Sequence, residues 1–132
     1  MEYKDEFTAK VKDYFKDSVI AAEKINAVWE QIESYFNDLG DSLEIEIDLL
    51  GNYVEYYNDG NVIEFAIRDV GIRLEKSVFT INLQKLTGEE YTYWKYFEYK
   101  DGKIVNFSGG DEYNDSSLNS WLRELKFDAV LI

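Results

Sequence analysis

The chain has 132 residues, a formal net charge of −13, and no Cys, His or Pro. This length is typical of one domain that buries its own core, and the apolar content argues against disorder. The missing residue types exclude disulfides, thiolate metal sites and Ser-His-Asp or Cys-His catalysis within this chain. The acidic charge disfavours direct binding to nucleic acid. The sequence has neither an apolar run of about 18 residues nor a secretory signal, so we expect a cytoplasmic protein without membrane contact.

Residues 3–39 have the spacing of a helix, with apolar or small side chains recurring in alternating steps of four and three. A second row beside the first makes a wide apolar stripe, which suits a helix lying on a sheet. A straight helix of this size would measure roughly 55 Å, whereas a compact domain of this length has a diameter of roughly 35–40 Å. We therefore predict a break or kink close to Ser18, where Asp17 or Ser18 could cap a second helix. Gly40 is predicted to end the helical segment.

The next segment, LEIEIDLL at 43–50, alternates apolar and acidic residues. This alternation predicts an antiparallel strand with one buried face. Gly51-Asn52 and Asp59-Gly60 are predicted to be two-residue hairpin turns that join this strand to two more.

These two turns would place carboxylates side by side on one face of the sheet. Asp48 would pair with Glu55, and Glu55 with Glu64, while Glu46 would lie near Tyr57. Directly opposed like charges cost roughly 0.2–1 kcal/mol per pair. The row is therefore a tolerated solvent face, a site for basic side chains, or a site for a hard cation.

Further strands are predicted at 72–76 and 77–84, with a bulge near Glu75–Ser77, and at 91–100 and 103–107 around the turn Asp101-Gly102. Aromatic residues occupy odd and even positions of 91–100. The sequence leaves open which set faces the core and which forms an exposed patch.

A polar loop at 108–117 precedes a short helix with an apolar face, and the tail either extends that helix or forms an edge strand. The order predicts an α+β fold for a single domain, residues 1–132. It consists of an N-terminal helical segment (one kinked or two helices), an antiparallel meander of five to six strands, and a short C-terminal helix.

The chain carries no P-loop, dinucleotide-binding fingerprint or paired histidines, and we assign no catalytic residue, cofactor or metal. We expect a non-enzymatic interaction domain of the inhibitor, immunity or adaptor type that binds a protein partner with a basic surface. The expected contact is an acidic and aromatic sheet face, with candidate residues Glu46, Asp48, Glu55, Tyr57, Glu64, Trp94 and Tyr96.

Two alternatives stay open. One is a polynucleotide mimic whose carboxylates imitate phosphates, and the other is an unrecognised carboxylate-dependent enzyme. The helical stripe and the surplus aromatic face also favour a homodimer.

Overall fold

The structure is a computed structural model and describes residues 2–131. Its helices are α1 (Tyr3–Ser42), α2 (Glu44–Leu49) and α3 (Ser117–Glu124), followed by a 3₁₀ turn (Phe127–Val130). Its strands are β1 (Val54–Asn58), β2 (Val62–Ile67), β3 (Val70–Lys76), β4 (Thr80–Thr87), β5 (Glu90–Lys100) and β6 (Lys103–Asn106). They form one antiparallel sheet in the order β1-β2-β3-β4-β5-β6. The predicted α+β meander between an N-terminal and a C-terminal helix is confirmed.

The hydrophobic core lies between one face of the sheet and the helices α1 and α3. The strands contribute alternate buried residues, namely Ile63, Phe65, Ile72, Leu74, Ile81, Leu83 and Phe97. The helices contribute Ile25, Trp29, Ile32, Phe36, Leu118 and Trp121. We call this side of the sheet the inner face. The opposite side, the outer face, is not covered by a helix of residues 2–131.

The predicted break near Ser18 is wrong, because α1 runs without interruption from Tyr3 to Ser42. Asp17 and Ser18 lie inside the helix, where their lower helix propensity costs at most about 0.7 kcal/mol each. With no Pro or Gly before residue 40, no stronger helix breaker is present. At 1.5 Å per residue the helix is roughly 60 Å long. Every residue from 3 to 20 is exposed, and we call this part of α1 the N-terminal arm.

The strand predicted at 43–50 is also wrong, because residues 44–49 form the helix α2. The amide of Leu43 donates to the carbonyl of Leu39 and the amide of Ile47 to that of Leu43, so helical bonding nearly continues from α1. Only part of the alternating apolar pattern is therefore buried. Leu43 packs against the core, whereas Ile45, its neighbour on the same face of a strand, is 70% exposed.

The hairpin of β1 and β2 forms, but its register differs by two residues from the prediction. Tyr56 pairs with Phe65, whereas the predicted pairing of Glu55 with Glu64 would place Tyr56 opposite Ile63. The turn is centred on Gly60-Asn61, one residue later than predicted, because the Asp59 amide donates to the Val62 carbonyl at 3.1 Å and the Asp59 side chain accepts hydrogen bonds from the amides of Asn61 and Val62 at 2.9 and 2.8 Å. Gly51-Asn52 lies between α2 and β1 and does not join two strands.

The apolar phase change predicted to be a bulge near Glu75–Ser77 is a turn between β3 and β4. The sheet's irregularity lies instead at Leu83/Gln84 in β4, opposite Trp94 in β5. The hairpin at Asp101-Gly102 has the predicted register, with Tyr99 paired to Ile104. Both turn residues have positive φ, 51° and 83°, which is the geometry of a type I′ turn.

The short C-terminal helix is confirmed as α3. The tail neither continues it nor adds a strand, because residues 127–130 form a 3₁₀ turn. This turn places Phe127 against Phe65, with ring centroids 5.3 Å apart. None of the helices within 2–131 combines the length and apolar character needed to cross a membrane.

Candidate binding face

A row of five side chains crosses the outer face from β1 to β5. In register order they are Tyr57, Glu64, Arg73, Gln84 and Tyr93. The row therefore has an aromatic ring at each end and an acid, a base and an amide between them. The predicted row of three carboxylates does not exist. Asp48 lies in α2, and Glu55 pairs with Ala66 rather than with Glu64.

Arg73 is the centre of this row. Its Nη1 donates to Glu64 Oε1 at 2.6 Å, and its Nη2 lies 3.9 Å from Glu75 Oε2. The Arg73 and Glu64 side chains are both about two-thirds covered. The face thus already holds one guanidinium between carboxylates, and further carboxylates, Glu55 and Glu98, lie on the same face.

Tyr91 borders the row on the side of Glu55. Its hydroxyl group lies beside Gly71, where an added Cβ would be 3.0 Å away, and Ala66 is equally close to that position. Small residues on β2 and β3 therefore leave room for this tyrosine. Burial, together with the charges of Glu64 and Glu55, raises the pKa of Tyr91 to about 12, against a smaller opposing effect of Arg73. Tyr91 stays neutral at physiological pH and can donate a hydrogen bond.

The irregularity opposite Trp94 decides which aromatic residues of β5 share a face. Before it, odd-numbered Tyr91 and Tyr93 pair with Leu86 and Gln84; after it, even-numbered Tyr96 pairs with Asn82. These three tyrosines lie on the outer face, because a bulge adds one residue and reverses the alternation.

Trp94, predicted on the same face as Tyr96, lies instead on the inner side. There it lines a cleft with Glu124 and Leu125. Lys95 Nζ lies 5.3 Å from the Trp94 ring centroid and within 4 Å of Asp111 and Glu124.

The other predicted site residues are split between two regions. Glu55, Tyr57, Glu64 and Tyr96 lie on the outer face. Tyr57 donates a hydrogen bond to Asp59 at 3.1 Å, and this bond raises its pKa. Glu46 lines an inner-side groove of about 440 Å³ with Leu39, Leu43 and Phe127 among its walls. Asp48 is exposed on α2.

Sequence reasoning missed Arg73, Tyr91 and Tyr93 as members of the face. The sequence contains a sign of the shared face of the tyrosines: Tyr91 and Tyr93 occupy odd positions, and Tyr96 an even position, so the alternation changes between them. A single bulge between residues 93 and 96 would unite all three, but periodicity does not reveal where a bulge lies.

Within residues 2–131, no group of three or more Asp or Glu side chains is arranged to hold a metal ion. Comparison of the chain with family models, curated proteins and solved structures gives no match.

Proposed function

We propose that the protein is a non-enzymatic interaction domain whose outer face binds an arginine-bearing surface of another protein. The observation that carries the proposal is the composition of this uncovered face. Four tyrosines and four glutamates lie around Arg73, namely Tyr57, Tyr91, Tyr93, Tyr96, Glu55, Glu64, Glu75 and Glu98. Arg68 lies at the edge of the face, where it lines a cavity with Glu55, Glu64 and Tyr91.

Arginine is the side chain that fits this surface. A guanidinium donates paired hydrogen bonds to a carboxylate and stacks on aromatic rings, whereas a lysine ammonium acts as a strongly hydrated point charge. Within the face itself, Arg73 already donates one such hydrogen bond to Glu64. Tyrosine and arginine are also the residues enriched at the energetic centres of protein interfaces.

The polynucleotide mimic has less support, because it rests on a regular row of carboxylates that the sheet does not contain. The enzyme alternative would need a reacting group among the carboxylates beside Tyr91, and Glu64 there is engaged by Arg73.

The test uses a short oligo-arginine peptide, titrated into isotope-labelled protein while backbone amide shifts are followed by NMR. We expect the largest shifts on β1, β2 and β5, and weaker binding of an oligo-lysine peptide of the same length. Tyr93→Ala should weaken oligo-arginine binding about two- to fivefold, the size of an exposed cation–π contact.

Two matched controls separate a specific face from general attraction to an acidic protein. Tyr14 is exposed like Tyr93 but lies on α1, and Glu30 is exposed like Glu55 but also lies on α1. Tyr14→Ala and Glu30→Gln should leave binding unchanged, whereas Glu55→Gln should weaken it. Equal losses from Glu55→Gln and Glu30→Gln would reject the outer face as the binding surface.

A further inference from the structure

The N-terminal arm is the most conspicuous apolar surface that the fold leaves uncovered. Seven large apolar side chains are exposed along it, namely Tyr3, Phe7, Val11, Tyr14, Phe15, Val19 and Ile20. Near the end of the arm α1 approaches the sheet, and Ser18 and Ala21 line an open cavity with Phe79 and Tyr99.

We propose that the arm pairs with the arm of a second copy of this chain as an antiparallel two-helix coiled coil. The first support is periodicity. Phe7, Val11, Tyr14, Ser18 and Ala21 follow steps of four, three, four and three, which is the heptad repeat of supercoiled helices. In heptad letters, Phe7, Tyr14 and Ala21 occupy d positions, and Val11 and Ser18 occupy a positions.

The second support is the distribution of side-chain size along the arm. Large rings lie near its tip and small residues at its base, where Ser18, Ala21 and Ala22 follow one another on the stripe. In an antiparallel pair, Phe7 lies level with Ser18 of the second copy and Val11 level with Tyr14. Each large side chain then meets a smaller one, which is how tight packing is achieved. A parallel pair would set Phe7 against Phe7 and Ser18 against Ser18.

The third support is charge. The arm is electrically neutral although the chain carries a net charge of −13. Its charged residues are Lys4, Lys10, Lys12, Lys16, Asp5, Glu6, Asp13 and Asp17. In the same antiparallel register, Lys10 and Asp17 occupy g positions that face each other across the helix pair. The two-fold symmetry makes this contact twice, and such flanking charges set orientation in coiled coils.

The fourth support is area. Burying half of each ring of Tyr3, Phe7, Tyr14 and Phe15, at about 150–250 Å² per ring, together with Val11, covers roughly 500 Å² per copy. The pair then covers roughly 1,000 Å², the lower limit of a specific interface. The base of the arm enlarges this surface, because Val78 and Phe79 are exposed in the turn beside it. Tyr3 of the second copy comes level with Ala22 there. We expect a weak, reversible dimer.

The first experiment measures mass by sedimentation equilibrium over a range of protein concentrations. The wild type should approach dimer mass at high concentration. Phe7→Gln/Val11→Gln should remain a monomer with an unchanged urea midpoint, because both side chains are exposed on the arm. Ala9→Gln, on the opposite side of the helix, should dimerise like the wild type. A wild type that stays monomeric throughout, or a double variant that dimerises normally, would overturn the proposal.

The second experiment tests register and orientation. Lys10→Asp and Asp17→Lys should each weaken dimerisation roughly three- to tenfold, and the combined variant should regain wild-type association at the original net charge. Since the chain has no cysteine, Phe7→Cys and Ser18→Cys proteins can be mixed under mild oxidation. A disulfide between the two variants supports the antiparallel pair. Preferential disulfides between two Phe7→Cys chains would contradict it.

Discussion

Gly40 illustrates how one residue can be misjudged from its type. Sequence reasoning assigned it to the end of the helix, but it lies inside α1, which continues to Ser42. A Cβ at this position would be 2.8 Å from Cδ2 of Tyr56. The glycine therefore admits the Tyr56 ring against the helix, where the Tyr56 hydroxyl donates to Asn37.

Gly40→Ala tests this close contact. The substitution gains about 1 kcal/mol of helix propensity but overpacks the contact at a typical cost of 1–3 kcal/mol. We expect the free energy of unfolding in urea to fall by about 1 kcal/mol. In a Tyr56→Leu background the same change should become stabilising, and Ser34→Ala on the exposed side of α1 should not destabilise. Destabilisation of equal size in both backgrounds would show that the ring is not the cause.

Tyr91 predicts a specific dependence of stability on pH. Its pKa in the folded protein is about 12, against 10.0 for an ordinary tyrosine. Because the folded state favours the neutral form, this contribution is complete below pH 10 and is lost as the pH rises through about 12. The urea midpoint of Tyr91→Phe should therefore fall less steeply than that of the wild type between pH 10 and 12. Identical slopes for the two proteins would contradict the assignment.

Among the elements, α2 shows that a segment of alternating apolar and acidic residues can form a helix instead of a strand. Leu43, next to α2, and Ile45 would share the buried face of a strand, but in the structure only Leu43 packs against the core. Leu43→Ala should cost about 1–2 kcal/mol, less than the value for a fully buried leucine, whereas Ile45→Ala should change stability by under about 0.5 kcal/mol. Urea denaturation of the two variants measures the difference. Equal costs would restore the strand interpretation.

The whole molecule carries far more negative than positive charge, and the carboxylates Asp38, Asp41, Glu44, Glu46 and Asp48 lie close together in sequence around the end of α1. The last turn of α1 contains no basic residue, so these charges oppose the helix dipole. Added salt should screen these carboxylates from one another and so weaken their repulsion.

We therefore expect the thermal midpoint, measured at a protein concentration where the chain is monomeric, to rise as NaCl is added from low ionic strength. Asp41→Asn should raise stability at low salt by about 0.3–1 kcal/mol and reduce the dependence on salt. A midpoint that falls or stays constant with NaCl would indicate that repulsion between carboxylates does not limit stability.

The sequence by itself determined the features that depend on local patterns. The helical stripe of α1, the turn at Asp101-Gly102 and the apolar face of α3 are each encoded within a few neighbouring residues, and together they predict the α+β meander. Their physics is local, because a helix or a type I′ turn closes most of its hydrogen bonds within its own segment.

Only the tertiary structure decided the state of 43–50, the register of β1 on β2, and the faces of β5. The short segment at 43–50 suits a strand or a helix, and in the structure its helical hydrogen bonds follow on from α1 while Leu43 packs on the core. The register follows from Asp59 bonding to the backbone of its turn, and the bulge opposite Trp94 gathers Tyr91, Tyr93 and Tyr96 onto one face. Each outcome is a competition between alternatives of similar local free energy, so contacts between distant residues determine the result.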